Sequence, residues 1–168
     1  MLLYKDIISG DEMVSDAYDI KEIDGAVFEV DCQMIQVKQG GDVDIGANPS
    51  AEEGDDALED GVETVNNLVY SFRLQSTSFD KKMYLTYIKG YMKAVKAKLA
   101  ESAPDQVAAF EKGAQGYVKK VVGSFKDWEF YTGESMDPEG MVALLNYRED
   151  GVTPYLVFWK HGLKEEKF

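Results

Sequence analysis

The feature that most restricts the fold is a change of hydrophobic period between Asp80 and Phe125. Large apolar residues there recur at spacings of three and four, which places them on one face of a helix. Asp80 is suited to cap this helix, and Pro104 is suited to the first turn of a second one. We therefore predict a helical hairpin over residues 80–123. Its buried faces comprise Met83, Tyr84, Tyr87, Ile88, Tyr91, Val95 and Leu99 on the first helix, and Val107, Phe110, Ala114, Tyr117, Val118, Val121 and Val122 on the second.

The pattern on either side of the hairpin is that of β-strands. Because strands flank the helices rather than alternating with them, the order indicates an α+β fold, with the hairpin inserted into an otherwise antiparallel β domain. Asp24-Gly25 and Asp150-Gly151 are typical of tight turns. With 45% hydrophobic residues, the chain of 168 residues can build one core, so we predict a single domain over residues 1–168. The predicted strands lie at 2–8, 17–23, 26–37, 62–75, 127–133, 141–149 and 153–160.

The charges are segregated along the chain, whose net charge is -13. From Asp42 to Glu63 there are nine acidic residues and no lysine or arginine. From Lys81 to Lys120, by contrast, there are nine lysines and only three acidic residues. The acidic stretch is rich in glycine and poor in large apolar groups, so it cannot offset its ordering entropy by burial. We predict a mobile acidic loop over residues 40–61.

The residue inventory excludes several classes of enzyme. Cys32 is the only cysteine and His161 the only histidine, so an intrachain disulfide and a cysteine-rich zinc site are both excluded. Cys32 has no cationic neighbour in sequence and is interpreted as an inert core or strand residue. Phosphate-binding glycine loops and a nucleophile with a base partner are both missing. We predict no catalytic residues and no cofactor. The chain also lacks a run of about 18 apolar residues and an apolar leader, so we expect a cytoplasmic protein without a membrane partner.

Two long motifs carry a resemblance to a known family. IGANPSAEEGD, from Ile45, closely resembles the first signature of the translationally controlled tumour protein (TCTP) family. FKDWEFYTGESMDPEGMVALLNYREDGVTPYLVFWKHGL, Phe125 to Leu163, resembles that family's C-terminal block, and SGDEMVSD and TSFDKKMYLTYIKGYMK match as well. The motifs stand in the family's order over the full length of the chain.

The resemblance implies a small antiparallel β-tent with a helical hairpin and a long flexible loop. This fold is similar to a zinc-binding group of guanine nucleotide exchange factors and to a class of methionine sulfoxide reductases. Those relatives depend on cysteines that this chain lacks, so the shared fold carries little functional weight.

The resemblance also implies a cytosolic interaction protein that is not an enzyme. Family members are linked to growth, to protein synthesis through the elongation factor one complex, to microtubules and to weak calcium binding. A cytoplasmic location with partial cytoskeletal association follows from these roles. The competing interpretation is a regulator of a Rheb-type, Ras-like small GTPase. No calcium site can be located, because Asp42, Asp44 and Gly46 fail the EF-hand pattern.

Two surfaces are predicted from these considerations. Tyr4, Glu12, Leu74 and Glu134 lie in or next to strand ends within family motifs and are candidates for a shared protein or GTPase contact; for Glu12 the alternative is an ordinary exposed loop glutamate. The second surface is formed by lysines of the hairpin, which we predict to dock acidic partners such as tubulin or an acidic region of the elongation factor one exchange subunit. The alternative is a solvated face. Nucleic acid is a less favoured partner for these lysines, because the chain is acidic overall and contains no recognisable nucleic-acid-binding motif. The docking lysines are Lys89, Lys93, Lys96, Lys119 and Lys120.

Overall fold

The computed structural model describes residues 2–38, 43–44 and 62–167, and these contain twelve strands and three α-helices. The helices are α1 (Asn67–Phe72), α2 (Lys81–Ser102) and α3 (Val107–Gly123), with short 3-10 turns at Pro104–Gln106, Phe125–Asp127 and Lys160–Gly162. The strands are β1 (Leu2–Asp6), β2 (Glu12–Ser15), β3 (Ile20–Ile23), β4 (Val27–Asp31), β5 (Met34–Lys38), β6 (Val43–Asp44), β7 (Val62–Asn66), β8 (Gln75–Thr77), β9 (Glu129–Thr132), β10 (Ala143–Tyr147), β11 (Pro154–Trp159) and β12 (Leu163–Lys167).

The strands form three antiparallel sheets. The largest has the order β3-β4-β11-β10-β9-β8, and its central strand β11 is buried at every position. The other two have the orders β12-β1-β2 and β6-β5-β7. Antiparallel sheets combined with a packed pair of helices confirm the predicted α+β class.

The helical hairpin follows the predicted caps and most of the predicted faces. The Asp80 side chain accepts a hydrogen bond of 2.7 Å from the Met83 amide, and Pro104 begins the 3-10 turn that leads into α3. The buried residues of α2 are Tyr84, Ile88, Tyr91, Val95 and Leu99, and those of α3 are Phe110, Ala114, Tyr117 and Val121. The expectation of a buried Met83 is wrong, since its side chain is 56% exposed.

The predicted strand over residues 62–75 is also wrong, because it breaks at Asn66. The Asn66 side chain accepts hydrogen bonds from the amides of Leu68 and Val69, and so caps α1. The helix ends at Arg73, which adopts a left-handed conformation with φ of 55°, before β8 begins.

Smaller differences occur at three other strands. The predicted strand over 26–37 is two strands, interrupted at Cys32 and Gln33. The strands that were not predicted include β2, four residues long, and β12, whose sequence LKEEK is almost entirely polar. Both pair with β1 and stand at the edges of their sheet. The acidic-loop prediction lies outside the described residues except at β6, which pairs with β5.

A charged network around the buried Glu29 ties α3 to the large sheet. Tyr117 of α3 donates a hydrogen bond of 2.9 Å to the carboxylate of Glu29 on β4, which is 5% exposed. Arg148 donates to Glu29 at 2.6 Å and to Asp31 at 2.8 Å, and its guanidinium lies 3.9 Å from the ring centroid of Tyr155. Every charged group in the network therefore has a partner, as a buried carboxylate requires.

Candidate interaction surfaces

Two segments that are distant in sequence meet at one surface, which we call the loop junction. They are residues 8–12, which lead from β1 into β2 and end at Glu12, the first residue of β2, and residues 133–137, which follow β9. The Asp11 carboxylate accepts hydrogen bonds from the Ser135 hydroxyl at 2.6 Å and from the Ser135 amide at 3.2 Å. Gly133 lies so close to the Asp11 side chain that a Cβ there would overlap it. The loops thus hold each other, and the glycine is required by the close approach.

The loop junction brings two of the predicted contact residues into the same region of the fold. Glu12 directly follows Asp11, and Glu134 lies between the two residues that contact Asp11. Both glutamates are exposed. Glu12 and Glu134 therefore do not lie on opposite sides of the fold, an arrangement that would have excluded a shared patch.

The buried Asp6 carboxylate forms hydrogen bonds with residues close to both segments of the loop junction. Asp6 is 2% exposed, and its carboxylate accepts hydrogen bonds from the Ile8 amide at 2.9 Å, the Ser9 hydroxyl at 2.7 Å and the Met141 amide at 2.7 Å. The Ser9 oxygen accepts in turn from the Asp11 amide at 3.2 Å. This arrangement fixes both loops to one buried carboxylate.

Tyr87 attaches the second loop to helix α2. Its hydroxyl donates to the Gly140 carbonyl at 2.7 Å and accepts from the Val142 amide at 3.0 Å. Burial raises the pKa of Tyr87 well above its usual range, so the hydroxyl keeps its proton and remains a donor.

The other two predicted contact residues are buried. Leu74 is 5% exposed and precedes β8, directly after Arg73, which forms an ion pair of 3.3 Å with Glu134. Tyr4 is 9% exposed, and its ring packs edge-on against Phe28 with centroids 5.6 Å apart. Burial, followed by the nearby Glu165 and Asp16 carboxylates, raises the pKa of Tyr4. Of the four candidates, the structure therefore exposes only Glu12 and Glu134.

Tyr4 borders a different cavity from the loop junction. A cleft of about 860 Å³ separates the tip of the helical hairpin from the sheet β12-β1-β2, and Tyr4, Leu99, His161 and Lys164 are among the residues that line it. His161 packs edge-on against Phe110, and burial together with Lys160 lowers its pKa. His161 thus packs against the core of the hairpin from within this cleft.

All five predicted docking lysines are exposed on the hairpin, but they differ in their partners. Lys96 forms an ion pair with Glu111 on the facing helix, and the ammonium of Lys120 lies 5.1 Å from the ring centroid of Tyr117. Lys89, Lys93 and Lys119 form no ion pair with any residue in the described part of the chain. Their charge is therefore available to a partner.

A groove missed by sequence reasoning lies between the start of α2 and the loop junction. Its volume is about 570 Å³, and its lining includes Phe79, Lys82, Met83, Met136 and Val142. Met83 and Met136 are 56% and 57% exposed. Met83 belongs to the helical hydrophobic pattern, so periodicity alone could not separate it from the core.

The remaining reactive group is the thiol of Cys32. Cys32 is buried, and burial raises the pKa of its thiol to about 11, so the nucleophilic thiolate is scarce at neutral pH. Among the described residues, no group of three histidine, cysteine, aspartate or glutamate side chains is arranged to hold a metal ion. No helix in residues 2–38, 43–44 and 62–167 has the length and apolar character needed to cross a membrane.

Comparison with known proteins agrees with the resemblance carried by the motifs. The family model described as "Translationally controlled tumour protein" matches residues 1–164. The chain belongs to the translationally controlled tumour protein family. It is 72% identical over 167 residues to the "Translationally-controlled tumor protein homolog" of Candida albicans, covering 99% of both chains, and 69% identical to that of Schizosaccharomyces pombe, covering 100% of both.

Solved structures of the TCTP family confirm the fold. The chain is similar to the Schizosaccharomyces pombe protein p23fyp, with a TM-score of 0.84, 69% identity and full coverage of both chains. It is also similar to the TCTP of Caenorhabditis elegans, with a TM-score of 0.73 at 34% identity, covering 100% of this chain and 99% of that one. The predicted β-tent with an inserted hairpin agrees with both. The C-terminal TCTP motif contains β9, β10, β11 and the Ser135 side of the loop junction.

Proposed function

We propose that this member of the TCTP family is a non-enzymatic cytoplasmic interaction protein whose hairpin lysines bind acidic protein partners. The observation that carries the proposal is that Lys89, Lys93 and Lys119 are exposed and unpaired among the described residues. Tubulin and the acidic region of the elongation factor one exchange subunit are the proposed partners. Roles in protein synthesis, growth and microtubule association, with a fraction of the protein on the cytoskeleton, follow from binding them.

The geometry of the hairpin supports one continuous basic face. Lys89 and Lys93 are four residues apart, so they lie on one stripe of α2. The Lys96–Glu111 ion pair fixes the register between the helices. Lys89 lies seven residues before Lys96, and Lys119 lies eight residues after Glu111. Since α3 runs back along α2, both lysines are displaced from the ion pair by about 11 Å in the same direction along the hairpin axis.

Charge reversal tests this proposal. The variant K89E/K93E/K119E should lose most of its affinity for tubulin and for the acidic exchange-subunit region, because attraction at the encounter becomes repulsion. K126E/K164E/K167E is the matched control, with the same change in net charge outside α2 and α3. Binding is measured at 0.05 M and 0.5 M salt. Equal affinity of both variants for both partners would refute the basic face.

A second proposed function is regulation of a Ras-like small GTPase through the loop junction. The observation that favours it is that Asp11 brings the exposed Glu12 and Glu134 to one surface, although the loops are 124 residues apart. Two carboxylates on a fixed scaffold suit contact with basic residues of a GTPase or with the surroundings of its nucleotide. Glu134 already forms an ion pair with Arg73, so Glu12 is the stronger candidate for contact with the GTPase.

Nucleotide release from a Rheb-type GTPase tests the second function. The protein is added in substoichiometric amount to the GTPase loaded with a fluorescent nucleotide. Release that is accelerated by the unmodified chain and lost in Glu12→Gln, but kept in Glu139→Gln, supports regulation. Nucleotide release at the spontaneous rate with the unmodified chain and with both variants would refute GTPase regulation and would not affect the proposal for the basic face.

Weak calcium binding also remains a proposal. The nine acidic residues between Asp42 and Glu63 suit a diffuse, low-affinity interaction with a hard cation, although no site is assigned to particular residues.

A further inference from the structure

Ser135 is an exposed hydroxyl at the centre of a surface turn. The turn runs from Gly133 to Met136 and is closed by a hydrogen bond of 3.0 Å from the Met136 amide to the Gly133 carbonyl. The Ser135 hydroxyl donates to Asp11 at 2.6 Å, and this contact lies in an exposed part of the molecule. The hydroxyl is thus both accessible and part of the bond that joins the two loops.

The sequence on either side of Ser135 is acidic. Glu134 precedes it, and Asp137 and Glu139 follow at two and four residues. No basic residue occurs between Lys126 and Arg148. A protein kinase with a basic substrate cleft would bind such a segment by charge complementarity. We propose that Ser135 is a phosphorylation site for an acid-directed serine kinase, and that its phosphate opens the loop junction.

The reaction is an ordinary phosphoryl transfer. The Ser135 oxygen attacks the γ-phosphorus of ATP held by the kinase, a new oxygen–phosphorus bond forms, and the bond from the γ-phosphorus to the bridging oxygen of ADP breaks. The hydroxyl proton passes to the catalytic carboxylate of the kinase. Phosphoserine and ADP are the products, and no further co-reactant is needed.

The phosphate would break the Asp11 contact for two physical reasons. Phosphorylation removes the hydroxyl proton that Asp11 accepts, and it places a group of nearly two negative charges beside the Asp11 carboxylate. Gly133 already packs against the Asp11 side chain, so that carboxylate has no room to turn toward the second loop and keep its bonds. Separation of residues 133–137 from residues 8–12 relieves the repulsion.

Other bonds limit how far the opening extends. Met141 remains bound to Asp6, and Gly140 and Val142 remain bound to Tyr87. These contacts lie below the turn and do not include Ser135. The change is therefore confined to the two exposed loops, where it moves Glu12 and Glu134 apart.

The first test is direct phosphorylation of the full chain. The protein is incubated with an acid-directed serine kinase, ATP and Mg²⁺, and phosphate is located by peptide mass spectrometry. We expect phosphate on Ser135 and its loss in Ser135→Ala. Failure to modify Ser135, with or without phosphate elsewhere, would overturn the assignment.

The second test is amide hydrogen exchange before and after phosphorylation. The Ser135 and Met136 amides, both hydrogen-bonded in the junction, should exchange about tenfold faster, which corresponds to the loss of a charge-assisted hydrogen bond. The Met141 and Val142 amides should not change.

Two control variants separate charge repulsion from simple loss of the hydroxyl. Ser135→Ala should raise exchange less than phosphorylation does, because it adds no charge. Asp11→Asn, which removes the repelling carboxylate charge, should reduce the effect of the phosphate. An equal effect of Ser135→Ala and of phosphorylation, or no change in either, would overturn the opening mechanism. Because these readouts require no partner, they are independent of both proposed functions.

Discussion

The hydroxyl of Tyr117 donates a hydrogen bond of 2.9 Å to the carboxylate of Glu29, which joins the second helix of the hairpin to the large sheet. Glu29 is buried, and its other oxygen accepts from Arg148. The buried carboxylate thus depends on two donors from two different elements. Removing either leaves part of its charge without a partner.

Tyr117→Phe should lower the free energy of unfolding by about 1.5–3 kcal/mol, the scale for losing a hydrogen bond to a charged group. Urea denaturation measures this value. Tyr147→Phe, at an exposed position on β10, serves as the comparison and should change stability less. If Tyr117→Phe left stability unchanged, the bond would contribute nothing beyond packing of the ring.

A fall in stability is expected at alkaline pH. Burial raises the pKa of the Tyr84, Tyr87, Tyr91 and Tyr117 hydroxyls, so the folded state keeps protons that the unfolded chain loses near pH 10. Since the folded pKa values are the higher ones, this contribution is fully present below pH 10 and is lost as pH rises above it.

Each such tyrosine should add up to about 1.4 kcal/mol per pH unit to the decline. The unfolding free energy, measured between pH 8 and pH 11, should therefore be flat at first and then fall steeply. Tyr84→Phe should make the decline shallower, because Tyr84 is shifted by burial alone. The same slope in the variant would contradict the assignment of Tyr84 to this effect.

Sequence pattern predicted those parts of the fold that depend on local periodicity. Helix α2 follows the spacing of Tyr84, Ile88 and Tyr91, and its cap at Asp80 is a local signal. The short helix α1 was missed because the alternating pattern that ends at Asn66 is followed by further apolar residues, which look like a continuation of the strand. The Asn66 side chain instead caps a helical turn, and this local hydrogen bonding favours helix over strand. Strand β12 was missed because an exposed edge strand carries no apolar alternation.

The loop junction could be predicted only in part. Glu12 and Glu134 were found from the family motifs, but their proximity depends on Asp11 and Ser135, which are 124 residues apart. No local pattern encodes such a contact. Gly133 was the one available signal, since a glycine at a strand end often marks close approach of another segment. Burial of Tyr4 and Leu74 likewise follows from tertiary packing.

Tyr87→Phe should open the segment after the loop junction. The substitution removes the donor to the Gly140 carbonyl and the acceptor for the Val142 amide while keeping the ring. Leaving two backbone groups without partners should cost about 2–4 kcal/mol. Hydrogen exchange at Val142 and urea denaturation measure the local and global effects. Tyr131→Phe on β9 is the control, and a Val142 amide as protected as in the unmodified chain would contradict this account.

The last prediction compares two glycines. At Gly162, the last residue of the 3-10 turn before β12, a Cβ would overlap the hydroxyl of the buried Tyr91 and lie 2.8 Å from the terminal carbon of Met141. Tyr91 is held in the core of α2 and cannot move away without disturbing its neighbours. At Gly116, an exposed position within α3, a Cβ would meet nothing within 4 Å.

Gly162→Ala should therefore lower the free energy of unfolding by about 1–3 kcal/mol, as other overpacking substitutions do. Gly116→Ala should raise it by about 0.5–1 kcal/mol, because alanine loses less backbone entropy in a helix. Both are measured by urea denaturation at neutral pH. Tyr91→Phe combined with Gly162→Ala removes the clashing oxygen and should recover part of the loss. Equal destabilisation in the single and double variants would show that the Tyr91 hydroxyl is not the group that excludes a side chain at position 162.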